Sequence, residues 1–212
     1  MPIKNQHNLI VISHPLVSHS LTILRDKKTS TEEFRRHGAI VSKILILEAT
    51  KYLKVKNIKI NTPLAPFDGK VLADEVVVVP VLRAGLAMLF ALQDFLPAVS
   101  VGFVGLERDE ATAQAQEYYQ KLPQLFKNSK VLIIDPMLAT GGSFCDTIEI
   151  VKKKGGKNIT LVSIVSAPEG IKRLRDGYPQ VKIVTAAIDH HLNNKKFIVP
   201  GLGDFGDRYF GT

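Results

Sequence analysis

The 212-residue chain is predicted to be an α/β protein with a central, mostly parallel sheet flanked by helices. Three observations predict this. Unbroken apolar runs such as Val76–Val79 and Val131–Ile134 alternate with stretches of helical spacing, and continuous β-branched strands belong to parallel sheets covered on both faces. A length of 212 and a hydrophobic content of 45% suit one domain with a substantial core. The run Val131–Ile134 also leads straight into an acid, small residues and two glycines before a helical stretch, which is how a ligand loop sits beyond the carboxyl end of a strand.

The elements follow in order. Leu9–Ile12 is a short apolar run. Ser30-Thr31-Glu32-Glu33 reads as a capping box that opens a long helix to about Tyr52. Phe34, Val41, Ile44, Leu45 and Tyr52 fall near one face of it, with Glu48 the polar exception. Ile58–Thr62 alternates like a strand until Pro63, Pro66 and Gly69 break the pattern. Then come a strand at Val76–Val79, a helix over Gly85–Leu96 and a strand at Val99–Val104. Val131–Ile134 is followed by a helix over Gly142–Lys154, Ile159–Val165 by a helix over Pro168–Asp176, and Val181–Ala187 closes the series. Ala111–Gln120, rich in Ala, Gln and Glu, favours helix on propensity. There is no repeat, linker or domain boundary, so residues 1–212 read as one domain with a core of about 70–190 and a cap from 1–65 and 190–212.

Composition narrows the function. No apolar run reaches the ~18 residues that span a bilayer, and Met1–Asn5 opens no signal peptide, so a cytoplasmic protein without a membrane partner is expected. The single Cys145 excludes an intramolecular disulfide, fits a reducing cytosol and stands alone, so zinc at a Cys/His cluster is not expected. The net charge of +8 suits a nucleic acid or a small polyanion equally, but the lysines are scattered. Lys152-Lys153-Lys154 reads as the solvated end of a helix.

Asp135-Pro136-Met137-Leu138-Ala139-Thr140-Gly141-Gly142-Ser143 carries the strongest signal. Gly141 and Gly142 let backbone N–H groups converge on an anion at a helix N-terminus. Thr140 and Ser143 supply hydroxyls, and an ionised Asp135 accepts hydrogen bonds from a sugar diol. The string is neither a Walker loop nor a dinucleotide fingerprint; a tight βα packing turn is the plainer alternative. In Val79-Pro80-Val81-Leu82-Arg83-Ala84-Gly85, a guanidinium in a turn after a buried strand either holds diphosphate with two prongs or pairs with a surface acid. Four glycines in residues 201–211 make the C-terminus a shaped loop, which lets a flat ligand approach its backbone or merely covers the sheet. His14, His190-His191 and Cys145 read as structural or surface residues.

These three strings, in this order, resemble the uracil phosphoribosyltransferases of the type I phosphoribosyltransferase family. So do the Ser30-Thr31 helix start, Ala167-Pro168-Glu169-Gly170, Ala187-Ile188-Asp189 and Phe210-Gly211-Thr212. The resemblance implies the type I phosphoribosyltransferase-like fold, with a hood from the terminal segments and Gly105–Pro123 as a protruding hairpin arm. It implies transfer of the phosphoribosyl group from phosphoribosyl diphosphate to uracil, giving UMP and diphosphate in pyrimidine salvage. Arg83, Arg108, Asp204 and each residue of Asp135–Ser143 would bind phosphoribosyl diphosphate, and Arg83, Asp135 and Asp204 would serve the reaction. Ile198, Gly203, Asp204 and residue 205 would take uracil; Phe205 stands where the family commonly has Ala. Backbone groups there would match O2, N3–H and O4 of uracil and leave cytosine mispaired. Mg²⁺ would be held mainly by phosphoribosyl diphosphate and water, because Pro136 replaces the second acid of many relatives. Relatives form homodimers or homotetramers, and some are activated by GTP. An RNA-binding regulator and transfer to a purine are the competing readings.

Overall fold

A computed structural model of the chain describes residues 8–93, 95–96, 98–108 and 115–212, with backbone alone for Glu107, Arg108 and residues 115–117. β1 (Leu9–Val11) leads to α1 (Pro15–Arg25), whose N-cap His14 accepts from the Leu16 N–H at 3.1 Å. The side chain of Ser30 caps α2 (Thr31–Thr50) by accepting from the Glu33 N–H. Val17, Leu24, Phe34, Val41 and Leu45 from these helices are buried. Tyr52 lies past the helix end and is exposed, while Ile46, outside the face that spacing predicted, is buried.

β2 (Val55–Asn61) and β3 (Pro66–Leu72) form an antiparallel hairpin. Sequence reading stopped the strand at Pro63; the chain instead turns there, because the Thr62 hydroxyl accepts from the Leu64 and Ala65 N–H groups. Pro66 stands at the first position of β3, where proline is tolerated. The core strands and helices then alternate: β4 (Val76–Leu82), α3 (Gly85–Leu92), β5 (Ser100–Val101), β6 (Phe103–Arg108), β7 (Ala115–Lys121), β8 (Lys130–Ile134), β9 (Met137–Leu138) and α4 (Gly142–Lys153). β10 (Asn158–Ser166), α5 (Pro168–Gly177), β11 (Lys182–Ile188), the short β12 (His191–Leu192) and β13 (Ile198–Val199), and α6 (Phe205–Phe210) complete the chain.

The main path of the sheet runs β1-β11-β10-β8-β4-β6-β7, parallel throughout except for β6 against β7. Leu9–Val11 therefore lies in the sheet and not in a cap, because its backbone pairs with Ile183–Thr185 at an edge β11 would otherwise expose. Residues 115–120 are strand and not helix: pairing with β6 overrides their propensity, and the hairpin implied by family resemblance is formed. Both faces of the sheet are packed. Val76, Val78, Leu132, Ile134 and Val162 meet α2 and α3 residues on one side, while Val77, Val79, Ile133 and Leu161 meet Phe144, Ile148 and Ile171 on the other.

One polar tie fixes the C-terminal segment. The buried carboxylate of Asp189, just past β11, accepts two bonds from the Arg25 guanidinium at 2.6 and 2.8 Å and a third from the Gly201 N–H at 2.8 Å. Arg25 also donates to the Gly201 carbonyl. Arg208 adds bonds to the carbonyls of Leu24, Asp26 and Leu202 and lies over the Phe34 ring. Removing one partner of a buried, hydrogen-bonded ion pair strands the other charge. Arg25→Ala is therefore expected to destabilise the fold by about 3–5 kcal/mol in chemical denaturation; a loss below about 1 kcal/mol would contradict this role for the tie.

Candidate active site

The carboxyl ends of β4, β8 and β10 converge on one cleft. After β8, Asp135 donates its N–H to the Val162 carbonyl at 3.1 Å, and the Pro136 carbonyl accepts from Ile164 and Val165. Met137 and Leu138 then rejoin β10 as β9. Ala139 and Thr140 lead to Gly141, whose φ of 79° turns the chain into α4. A side chain would be strained there. The first N–H groups of the helix have no acceptor within it and face the loop opening with the positive end of the dipole. Thr140 Oγ1 accepts from the Gly142 N–H at 3.4 Å, and Ser143 sits in the first turn. The loop is braced from below by α5, where a Cβ on Gly170 would come within 2.3 Å of the Ala139 carbonyl oxygen.

Asp135 is partly exposed on the cleft floor. Burial pushes its carboxyl up to about 7; the Met137 N–H, donating at 3.1 Å, opposes the rise, and the negative charge of Asp204 adds to it. Asp204 faces it from the C-terminal loop, exposed, and caps α6 by accepting from the Asp207 N–H at 3.0 Å. Arg83 follows β4, its peptide bond with Leu82 cis, and meets Asp207 at 3.6 Å with both side chains exposed. Such a pair is weak in water, so the guanidinium is free to exchange partners. Arg108 ends β6, and its side chain lies outside the described residues.

A cavity of about 240 Å³ lies between Asp135 and Asp204, while Arg83 and residues 140–143 are not among its lining residues. Asp135, Met137 and Ala139 line one side, and Ile198, Gly203, Asp204 and Phe205 the other. Gly203 has φ 80°, a left-handed turn that glycine adopts without strain. The Phe205 ring points away from the cavity into the core: it is 1% exposed, 4.9 Å from the Phe34 ring, and within 3.4 Å of where a Cβ on Gly38 would stand. Its bulk is thus absorbed behind the wall. The cleft accordingly contains Arg83's neighbour Ala84, the 135–139 segment and the whole 203–206 turn.

Three residues escaped sequence reading. Lys196 and Phe197 line the cavity from the β12–β13 turn, although Lys195-Lys196-Phe197 reads locally as a solvated loop; an aromatic directly before the apolar Ile198-Val199 was the available signal. Arg173 of α5 lies against the loop, its Nη1 3.6 Å from the place of a Cβ on Gly142. It also bonds Cys145, whose thiol burial pushes up, with Arg173 opposing. Helix position alone does not foretell that contact.

Comparison with known proteins agrees with this geometry. The family profile described as Uracil phosphoribosyltransferase matches residues 11–212. A Campylobacter concisus protein named uracil phosphoribosyltransferase is 50% identical over 205 residues, covering 97% of this chain and 99% of that one. One of the same name from Dictyoglomus thermophilum is 49% identical, covering 96% and 99%. The solved structure of the AQ2163 protein from Aquifex aeolicus superposes with TM-score 0.91 at 36% identity, covering 96% and 98%. Adenine phosphoribosyl transferase from Trypanosoma brucei, at TM-score 0.60 and 15% identity, shares the fold over 92% of this chain and 89% of its own.

Two predictions follow from the loop. A folded carboxyl that titrates near 7, against about 4 when unfolded, favours the protonated native state; its contribution is present below pH ~4 and lost as pH rises through about 7. Asp135→Asn should thus raise the melting temperature at pH 8, by at most the equivalent of about 4 kcal/mol, and change little at pH 4. Equal melting at pH 8 would show that the carboxylate is not strained. Gly170→Ala should push the backbone of the 135–143 loop out of place and lower the melting temperature by several degrees, a loss of about 1–3 kcal/mol.

Proposed function

The chain belongs to the uracil phosphoribosyltransferase family, and from that premise we propose how its cleft carries out the family's reaction. The enzyme transfers the phosphoribosyl group from phosphoribosyl diphosphate to uracil and releases UMP and diphosphate, a step of pyrimidine salvage. The observation that supports the assignment of roles is convergence: Asp135, Met137 and Ala139 after β8, Ala84 after β4 and the 203–206 turn line one cavity, with residues 140–143 continuing from it into α4.

The N–H groups of Thr140–Ser143 grip the 5′-phosphate, helped by the Thr140 and Ser143 hydroxyls and the start of α4. Asp135, ionised, accepts the ribose hydroxyls; a bound substrate that donates to it favours the charged form. Arg83 leaves Asp207 for the more highly charged diphosphate and balances it as the C1–oxygen bond breaks. Arg108 is assigned the same ligand from the family pattern. Uracil lies against Ile198 and the backbone of 203–205, with Asp204 beside base and ribose, and its N1 attacks C1 as oxocarbenium character develops. Positioning and charge balance suffice, so no protein nucleophile takes part.

The donor set fits Mg²⁺ only sparingly. Asp135 and Asp204 are the carboxylates in the cavity, and their mutual repulsion is what a cation relieves. Diphosphate and water would supply the remaining oxygens, and the metal would there neutralise the charge of the leaving group. The hairpin β2–β3 leaves Val55, Phe67 and Leu72 exposed, with Leu64 at its turn 96% exposed; this supports a homodimer or homotetramer that covers it. The lone, buried Cys145 supports a reducing, cytoplasmic setting.

Diphosphate release from phosphoribosyl diphosphate and Mg²⁺, with uracil, cytosine, hypoxanthine or adenine supplied in turn, tests the reading. Release with uracil alone, together with UMP, is expected; release with a purine overturns the base assignment, and silence with every base, repeated with GTP as activator, overturns the reaction. Arg83→Ala should lower kcat/KM by about 10²–10³-fold. An unchanged value would remove Arg83 from the reaction.

A further inference from the structure

We propose that Arg173 is a further anchor for the 5′-phosphate of phosphoribosyl diphosphate, a role that rests on reading the 135–143 loop as the phosphate grip. The loop itself raises the need. No lysine or arginine occurs in Asp135–Ser143. A phosphate there meets only N–H groups, the Thr140 and Ser143 hydroxyls and the partial charge at the start of α4. A phosphate monoester carries about 1.5 to 2 negative charges at neutral pH. A side-chain cation is what the loop lacks.

Arg173 brings one. It stands on α5, the helix that braces the loop through Gly170. Residues three apart share a helix face, so Arg173 follows Gly170 on the side turned to the loop. Its Cδ lies 3.7 Å from the place of a Cβ on Gly141, and its Nη1 lies 3.6 Å from the place of a Cβ on Gly142. Thr140 Oγ1 is also 3.6 Å from that second point. The stem therefore runs along the two glycines, and the guanidinium arrives near the threonine hydroxyl.

The guanidinium is free to change partners. Among the described residues, no carboxylate lies within ion-pair distance of it. Acids of α4 and α5 are engaged elsewhere: Glu169 accepts from the Leu192 N–H at 2.9 Å, Asp176 pairs with Lys172 at 2.5 Å, and Glu149 pairs with Lys152 at 3.6 Å. Asp146, beside Cys145, stays beyond that distance as well. Arg173 bonds the Cys145 thiol instead, and a thiol is a weak partner. Thr140 Oγ1 holds the Gly142 N–H at a long 3.4 Å. Phosphate oxygens displace both weak contacts, taking the N–H group and a two-pronged bond from the guanidinium. Arg83 is left to the diphosphate at the other end of the substrate.

Calorimetric titration of the native protein with UMP, and displacement of UMP by uridine, tests the anchor through product binding alone. UMP should bind more tightly than uridine. Arg173→Met should weaken UMP binding about tenfold and leave uridine and inorganic diphosphate unaffected. Arg173→Lys should recover part of the loss, because lysine restores the charge without the fork. In the transfer reaction, Arg173→Met should raise KM for phosphoribosyl diphosphate about tenfold while kcat changes little, since the 5′-phosphate is held alike before and during bond breaking. Arg173 is exposed, so the melting temperature of the variant should hold within about 2 °C. Undiminished UMP binding by Arg173→Met, or equal losses for UMP and uridine, overturns the role of Arg173. UMP bound no more tightly than uridine by the native protein overturns the reading of the loop itself, and the anchor with it.

Discussion

A single buried carboxylate ties the end of α1, the end of β11 and the C-terminal glycine loop together. Asp189 is 6% exposed, yet it carries a charge that burial would make costly without partners. It has three bonds, two from Arg25 and one from the Gly201 N–H. Each partner comes from a different part of the chain: the end of α1, the end of β11 and the C-terminal loop. None of the three can shift without exposing the others to an unpaired charge. The glycine-rich loop, whose composition would leave it mobile, is thereby made a fixed wall. Arg208 strengthens the same junction by binding the carbonyls at the end of α1, and the Phe34–Phe205–Tyr209 stack fills the space behind it.

Rigidity on that side contrasts with exchangeable charge in the cleft. Asp135 and Asp204 face one another across the cavity, and Arg83 rests on Asp207 in an exposed pair. A ligand bearing hydroxyls, a phosphate and a diphosphate relieves each of these tensions. In the proposed mechanism the hydroxyls donate to Asp135, and the diphosphate replaces Asp207 on Arg83. In that mechanism binding energy is available where charge moves in the reaction, and the wall proposed to read the base stays still. The 135–143 loop belongs to the rigid part as well, because α5 closes on Ala139 with no room for a side chain at Gly170.

Much of this was legible from local sequence, for a physical reason. The capping box at Ser30, the β-branched strands and the acid-to-glycine passage at 135–143 are each specified by neighbours in the chain. What was not legible depends on distant partners. Residues 115–120 favour helix until β6 offers hydrogen bonds. Leu9–Val11 is too short to declare itself a strand without the β11 edge. Pro66 breaks a strand on paper but begins one in the hairpin. The direction of the Phe205 ring depends on Phe34 and on the missing side chain of Gly38, and Arg25 and Asp189 are 164 residues apart. No window of sequence contains both.

A crystal structure of the protein with UMP would test the central claim, that a fixed main-chain wall reads uracil, most directly. The account predicts N3–H and O4 of the base bonded to backbone groups within residues 198–205. The Phe205 ring should stay packed on Phe34, with the Arg25–Asp189–Gly201 tie unchanged. A base held chiefly by side chains, or a Phe205 ring swung into the cavity to meet it, would contradict it.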